Sequence, residues 1–171
     1  VVSWNYPRAW LAPDGRVVIL TPRGEIHALD SSGAGRLTTL PGTLPRGRAI
    51  LPAVMVAPGR ILSLRMGTTA SLVDLTGAAP VVASTGSPSL ERQFGNATVL
   101  ADGTVWANGG SSTGNDLVGA AYHSEVWDPA TGQWHTAASA CWLSTWTTRA
   151  TSPSPCACPA GLRLLPSQPM R

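Results

Sequence analysis

The chain has 171 residues, 43% of them hydrophobic, enough to bury the core of one ordinary domain. Only 12% are charged, about half the usual share, and 18 Gly with 15 Pro suit short strands joined by many turns. The net charge of +3 comes from Arg149, Arg163 and Arg171 near the C-terminus, so no basic stripe supports nucleic-acid binding and no run of 18 apolar residues offers a membrane span.

The opening Val1-Val2-Ser3-Trp4 has no charged region followed by an apolar one, so it does not read as a secretion signal. It reads as the interior of something longer. The first apolar run, Trp10-Leu11-Ala12, meets a turn at Asp14-Gly15 and continues as Val17-Val18-Ile19-Leu20. Asp-Gly between apolar runs is a hairpin signal, because Gly supplies a positive φ at little cost. A third strand, Ile26–Leu29, ends at Asp30, and a fourth spans Arg36–Leu40.

The same punctuation returns. Turns at Pro58-Gly59 and Asp102-Gly103 follow at intervals of 44 residues. The strand-ending aspartates are Asp30, Asp74 at 44 residues on, and Asp128 at 54 more. The ten extra residues in the last interval fit an insertion within GSSTGNDLVGAAYHS. Third strands are predicted at Ser71–Val73 and Glu125–Trp127, and fourth strands at Pro80–Ala83 and Gln133–Thr136. Four short strands in about 44 residues is the signature of a β-propeller blade. The fold class expected is all-β: a partial propeller of about three four-stranded blades, near residues 4–48, 49–92 and 93–140.

Closed propellers need about four to eight blades. Three blades leave two open flanks, so the chain is expected either to be a fragment of a larger propeller, which is preferred, or to self-associate. Residues 141–171 break from the repeats in composition, with five Pro and no acids among them. They read as an irregular tail, either a linker or sequence translated out of the original frame, with a strand expected at most over Leu143–Thr148. All three cysteines, Cys141, Cys156 and Cys158, lie there and define no disulfide framework.

The Asp128–Trp134 segment DPATGQW resembles the kelch-repeat element in which a strand ends in Asp-Pro-x-Thr-x-x-Trp. YPRAWLAPDGRVVIL, SLVDLTGAAPVV and RQFGNATVLADGTVWANGGSS look like three successive blades of the bacterial galactose oxidase and glyoxal oxidase group. The resemblance covers about residues 4–139. It implies a secreted copper-radical oxidase that converts an alcohol or aldehyde while reducing O₂ to peroxide. In that group copper is held by two tyrosines and two histidines, one tyrosine being cross-linked to a cysteine. Imidazole and phenolate suit Cu(II), and the modified tyrosine supplies a second oxidising equivalent.

Residue by residue, little of that centre carries over. The repeats contain no Cys, and the family's Tyr-His pair should open a further blade where the tail begins. Tyr122-His123-Ser124 spells the pair but leads into a third strand, so it reads as a loop approaching that strand. The chain itself is expected to be inactive, with copper belonging to a full-length parent. Phe94, the only Phe, sits eight residues before Asp102. It matches a phenylalanine that lines the sugar pocket of galactose oxidase, or it is an ordinary core aromatic of a blade. Arg8 and Tyr6 enter the equivalent strand of the first blade, near a substrate-contacting arginine of that family. The substrate expected for the parent is a small alcohol, aldehyde or carbohydrate, and the missing blades are its structural partners. The alternative is a non-catalytic kelch module that binds a protein or carbohydrate, since fold does not fix function.

The remaining motifs carry less. His27, His123 and His135 lack ligand spacing and read as packing or surface residues. Cys156-Ala157-Cys158 has no partner pair for a metal. The Gly109–Gly114 stretch has no following Lys-Ser/Thr or helix, so it is no phosphate loop. Asn96-Ala97-Thr98 fits a glycosylation sequon but enters a strand.

Overall fold

The computed structural model describes residues 8–48, 50–114 and 116–139. Tyr6, the three cysteines, the Leu143–Thr148 strand and the tail lie outside them. The described chain is all-β. Strands β1 (Arg8–Leu11), β2 (Val17–Leu20), β3 (Glu25–Asp30) and β4 (Arg36–Thr43) form one antiparallel sheet. A second consists of β5 (Ala53–Ala57), β6 (Arg60–Leu64), β7 (Ala70–Asp74) and β8 (Val81–Thr85). The third contains β9 (Asn96–Val99), β10 (Val105–Asn108), β11 (His123–Asp128) and β12 (Gln133–Ser139). Each sheet is a four-stranded meander with its strands in chain order, the partial-propeller arrangement expected.

The turn chemistry explains the repeat. Gly15, Gly59 and Gly103 take φ values of +85°, +74° and +85°. Asp14 and Asp102 each accept the backbone N–H two residues on, both at 3.0 Å. The strand-ending aspartates act alike at the next turn: Asp30 and Asp74 accept from Ser32 and Thr76 at 2.9 Å, and Asp128 from Ala130 at 2.8 Å. A short acceptor that bonds its own chain two residues later fixes the bend.

The core lies between the sheets. Ile61 and Val73 of the second sheet pack with Val18, Leu20 and Ile26 of the first. Leu62, Leu64 and Ala70, on the opposite face of the second sheet, pack with Val105 and Trp127 of the third. Successive strand residues point to opposite faces, so β6 buries both its faces, from Ile61 to Leu64, with Ser63 among them. The outer sheets differ. The outward face of the first carries Leu11, 65% exposed, and that of the third carries Trp106, 37% exposed.

Polar bonds reinforce the stacking. Arg65, at the end of β6, reaches back to the first sheet's loops and donates to the carbonyls of Pro45, Thr21 and Pro22 at 2.7, 3.1 and 3.2 Å. Trp127 Nε1 donates to Thr85 Oγ1 at 3.0 Å, and Trp134 Nε1 to the Gly86 carbonyl at 2.7 Å, tying the third sheet to the second.

Gly24 has φ +99°, and a Cβ there would collide with the Leu44 carbonyl oxygen. Gly24→Ala is therefore expected to destabilise the chain by about 2–4 kcal/mol through strain and overpacking, read as a lowered midpoint of denaturant unfolding. A change below ~0.5 kcal/mol would show that this turn relaxes freely.

Candidate functional site

The segment joining the second and third sheets positions the candidate residues. Arg92 is fully buried and bonds Glu125 on β11, its Nη2 and Nε reaching Oε2 at 2.8 and 3.1 Å. Its remaining donors go to the carbonyls of His123, at 2.8 Å, and Gly109, at 3.2 Å. Glu125 Oε1 accepts the Ser89 N–H at 2.6 Å. One ion pair thus holds both ends of the 89–92 segment to the third sheet.

That anchoring fixes Phe94 two residues later. Gly95 N–H closes a turn onto the Arg92 carbonyl at 3.0 Å, and Phe94 N–H bonds the Ile50 carbonyl at 2.9 Å. Phe94 takes φ +59°, a conformation uncommon for a bulky residue and upheld only by surrounding bonds. Its ring is 56% exposed and belongs to neither core cluster. The reading of Phe94 as a blade-core aromatic does not describe this geometry.

The insertion expected within GSSTGNDLVGAAYHS, Gly110–Ser124, wraps against the same segment. Gln93 and Ser111 exchange backbone hydrogen bonds at 3.0 and 2.9 Å. A Cβ on Gly110 would lie 2.8 Å from the Gln93 carbonyl oxygen, so glycine permits this approach. Ser111 Oγ donates to the Asp116 carbonyl at 2.7 Å, and Asp116 caps a short 3₁₀ turn, Leu117–Gly119. Between insertion and segment lies a hollow of about 320 Å³, lined by Phe94, Gln93, Ser111, Asp116, Leu117 and Ala120. An exposed aromatic ring beside an amide, a hydroxyl and a carboxylate suits a small polyhydroxylated or alcohol ligand.

Arg8, at the start of β1, reaches the neighbouring carbonyl: its Nη2 lies 3.4 Å from Leu51 O. Arg8 and Phe94 therefore hold consecutive peptide carbonyls of the segment between β4 and β5, which brings two of the three sequence candidates to one region. A larger hollow of about 470 Å³ opens elsewhere on the first sheet, near Asp14, Arg16 and Asp30. Its acids are engaged locally, Asp14 by Arg16 Nε at 2.6 Å and Asp30 by Ser32 N–H.

The donor set among the described residues does not fit copper. Among the described residues no three His, Cys, Asp or Glu side chains cluster closely enough to hold a metal ion. His123 Nε2 faces Ser89 Oγ at 3.2 Å, His27 shares a hydrogen bond with Thr39, and His135 lies on β12. No helix among the described residues is long and apolar enough to cross a membrane.

The sequence reasoning missed Gln93, Ser111, Asp116 and Leu117 as cavity residues, and Arg92 and Glu125 as their support. Only the length of the insertion could have signalled the first group. Arg92 stands 44 residues after Arg48 and was findable as a charge in a repeat-equivalent place.

No family model and no characterised protein sequence matches this chain. Solved structures do. A fungal alcohol oxidase of the AA5 family, in complex with copper, is similar at 24% identity with a TM-score of 0.69, over 78% of this chain and 31% of that one. YjhT is similar at 13% identity with a TM-score of 0.58, over 80% of this chain and 52% of that one. The chain thus spans about a third of the oxidase and half of YjhT, and the likeness is one of fold.

Proposed function

We propose that the three sheets are consecutive blades of a kelch-type propeller belonging to a secreted copper-radical oxidase. In net terms the parent takes a primary alcohol and O₂ to an aldehyde and H₂O₂, or an aldehyde, water and O₂ to the carboxylic acid and H₂O₂. This chain contributes part of the substrate wall, and the copper ligands belong to other parts of the parent. The observation that carries the proposal is the display of Phe94, held out of the core at φ +59° on the rim of a 320 Å³ hollow. The likeness of fold to a copper-bound alcohol oxidase and the order of three distinct blades in the sequence support it. So do the apolar residues left uncovered on the two outer sheets, where adjoining blades would pack. Arg8 is assigned a substrate-contacting role beside Phe94, and Tyr6 one from the segment preceding β1.

In the parent enzyme, Phe94→Ala is expected to raise the KM for D-galactose or glyoxal at least about tenfold, roughly 1.4 kcal/mol of lost contact, with copper content unchanged. Steady-state peroxide release measures it. An unchanged KM for every alcohol and aldehyde tried would remove Phe94 from the substrate wall. A parent that takes up no copper and makes no peroxide would favour the non-catalytic binding module instead.

A further inference from the structure

Two cross-strand rows recur in the three sheets at the repeat interval, one on each face. The first row pairs Leu11 with Val17 and Val17 with Leu29 in the first sheet. Met55, Ile61 and Val73 repeat it in the second sheet, and Val99, Val105 and Trp127 in the third. The second row, on the opposite face, joins Trp10, Val18 and Ala28 in the first sheet. Val54, Leu62 and Leu72 repeat it in the second, and Thr98, Trp106 and Val126 in the third.

Both contacts between sheets are built alike: the second row of one sheet meets the first row of the next. Trp10 and Val18 pack with Met55, Ile61 and Val73. Val54, Leu62 and Leu72 pack with Val99, Val105 and Trp127. Two rows are left over, the first row of the first sheet and the second row of the third. Burial follows this division. Ile61, Val73, Val105 and Trp127 are buried, whereas Leu11 is exposed and Val17 and Leu29 are only half-buried. Val18 and Leu62 are buried, whereas Trp106, in the same place of the third sheet, is exposed. Exposed apolar rows of this kind mark interaction surfaces.

The two uncovered rows are therefore the two halves of a contact that the chain already makes twice. We propose that a second copy of the chain supplies the missing half at each end. The third sheet of one copy packs on the first sheet of the other, and the reverse contact closes a ring. A head-to-tail contact gives a ring where the rotation closes and an open filament where it does not. Closed propellers have about four to eight blades. With three sheets per chain, two copies give the one multiple within that range. The inference needs the sheet arrangement and no copper chemistry. In a longer parent, further sheets of the same register would occupy the same two rows.

Sedimentation of the 171-residue chain tests this. A dimer is expected, with a Kd below about 10 μM. Leu11→Glu and Trp106→Glu each alter an exposed side chain that enters both contacts of the ring, so each should weaken the dimer at least about a hundredfold. An equimolar mixture of the two variants should regain dimer, because each mixed pair keeps one unaltered contact. That recovery also shows that both variants are folded. A monomer at about 100 μM would overturn the proposal, as would open assemblies that grow with concentration. So would a dimer that survives either substitution, which would mean that like faces pair. A mixture with no more dimer than either variant alone would overturn it too. None of these outcomes touches the oxidase reading, which is tested by copper and turnover in the parent.

Discussion

Replacing Arg92 by Met is expected to cost about 3–5 kcal/mol of stability, measured by denaturant unfolding. Glu125 would be left ionised at 2% exposure, with only Ser89 to compensate it. Glu125→Gln should cost a comparable amount by stranding the guanidinium. The double variant Arg92→Met/Glu125→Leu should recover most of either loss, because two apolar side chains of similar volume need no counter-charge. Single losses below about 1 kcal/mol would mean that water reaches the pair. Because the 89–92 segment sets the turn that presents Phe94, the single variants should also increase amide exchange at Phe94 and Gly95.

The same pair predicts a pH dependence. Burial raises the Glu125 pKa, but hydrogen bonds from Ser89 and Arg92 outweigh it, and the carboxyl titrates below its ordinary range. A folded-state pKa below the unfolded one gives stability that is complete above the unfolded value, about 4.3. That stability is lost as pH falls through the lower, native value. Stability should therefore be level near pH 6 and decline below about pH 4.5, with a shallower acid limb in Glu125→Gln. Identical acid limbs would contradict the assignment.

Trp127→Ala should be similarly damaging, at about 3–5 kcal/mol. The ring is 2% exposed among Leu62, Leu64, Ala70 and Val105, and its Nε1 bonds the hydroxyl of Thr85 on the neighbouring sheet. Trp127→Phe keeps most of the apolar contact but removes the donor to that hydroxyl, which still donates to the Gly132 carbonyl at 3.0 Å, so about 1–2 kcal/mol is expected. Equal losses in the two variants would place the energy in the hydrogen bond and not in the packing.

The strands were legible because their turns are chemically local. An Asp that bonds two residues ahead and a Gly with positive φ work within a few residues, so they recur visibly in the sequence. The insertion before Tyr122 was legible as extra length. Its packing against Gln93 was not, because that contact joins backbone atoms across segments. Phe94 illustrates the limit: an aromatic among apolar residues reads the same whether it faces the core or solvent. What turns it outward is a chain of bonds through Ile50, Arg92 and Glu125, spanning 75 positions of sequence.

Copper stoichiometry, measured together with peroxide release, tests the central claim most directly. The 171-residue chain and the full-length parent would each be loaded with Cu(II), freed of excess metal and supplied with D-galactose or glyoxal in air. The account predicts close to one copper per parent molecule with peroxide formed, and neither bound copper nor peroxide for the chain alone. Stoichiometric copper and peroxide from the chain alone would contradict it, as would a parent with neither.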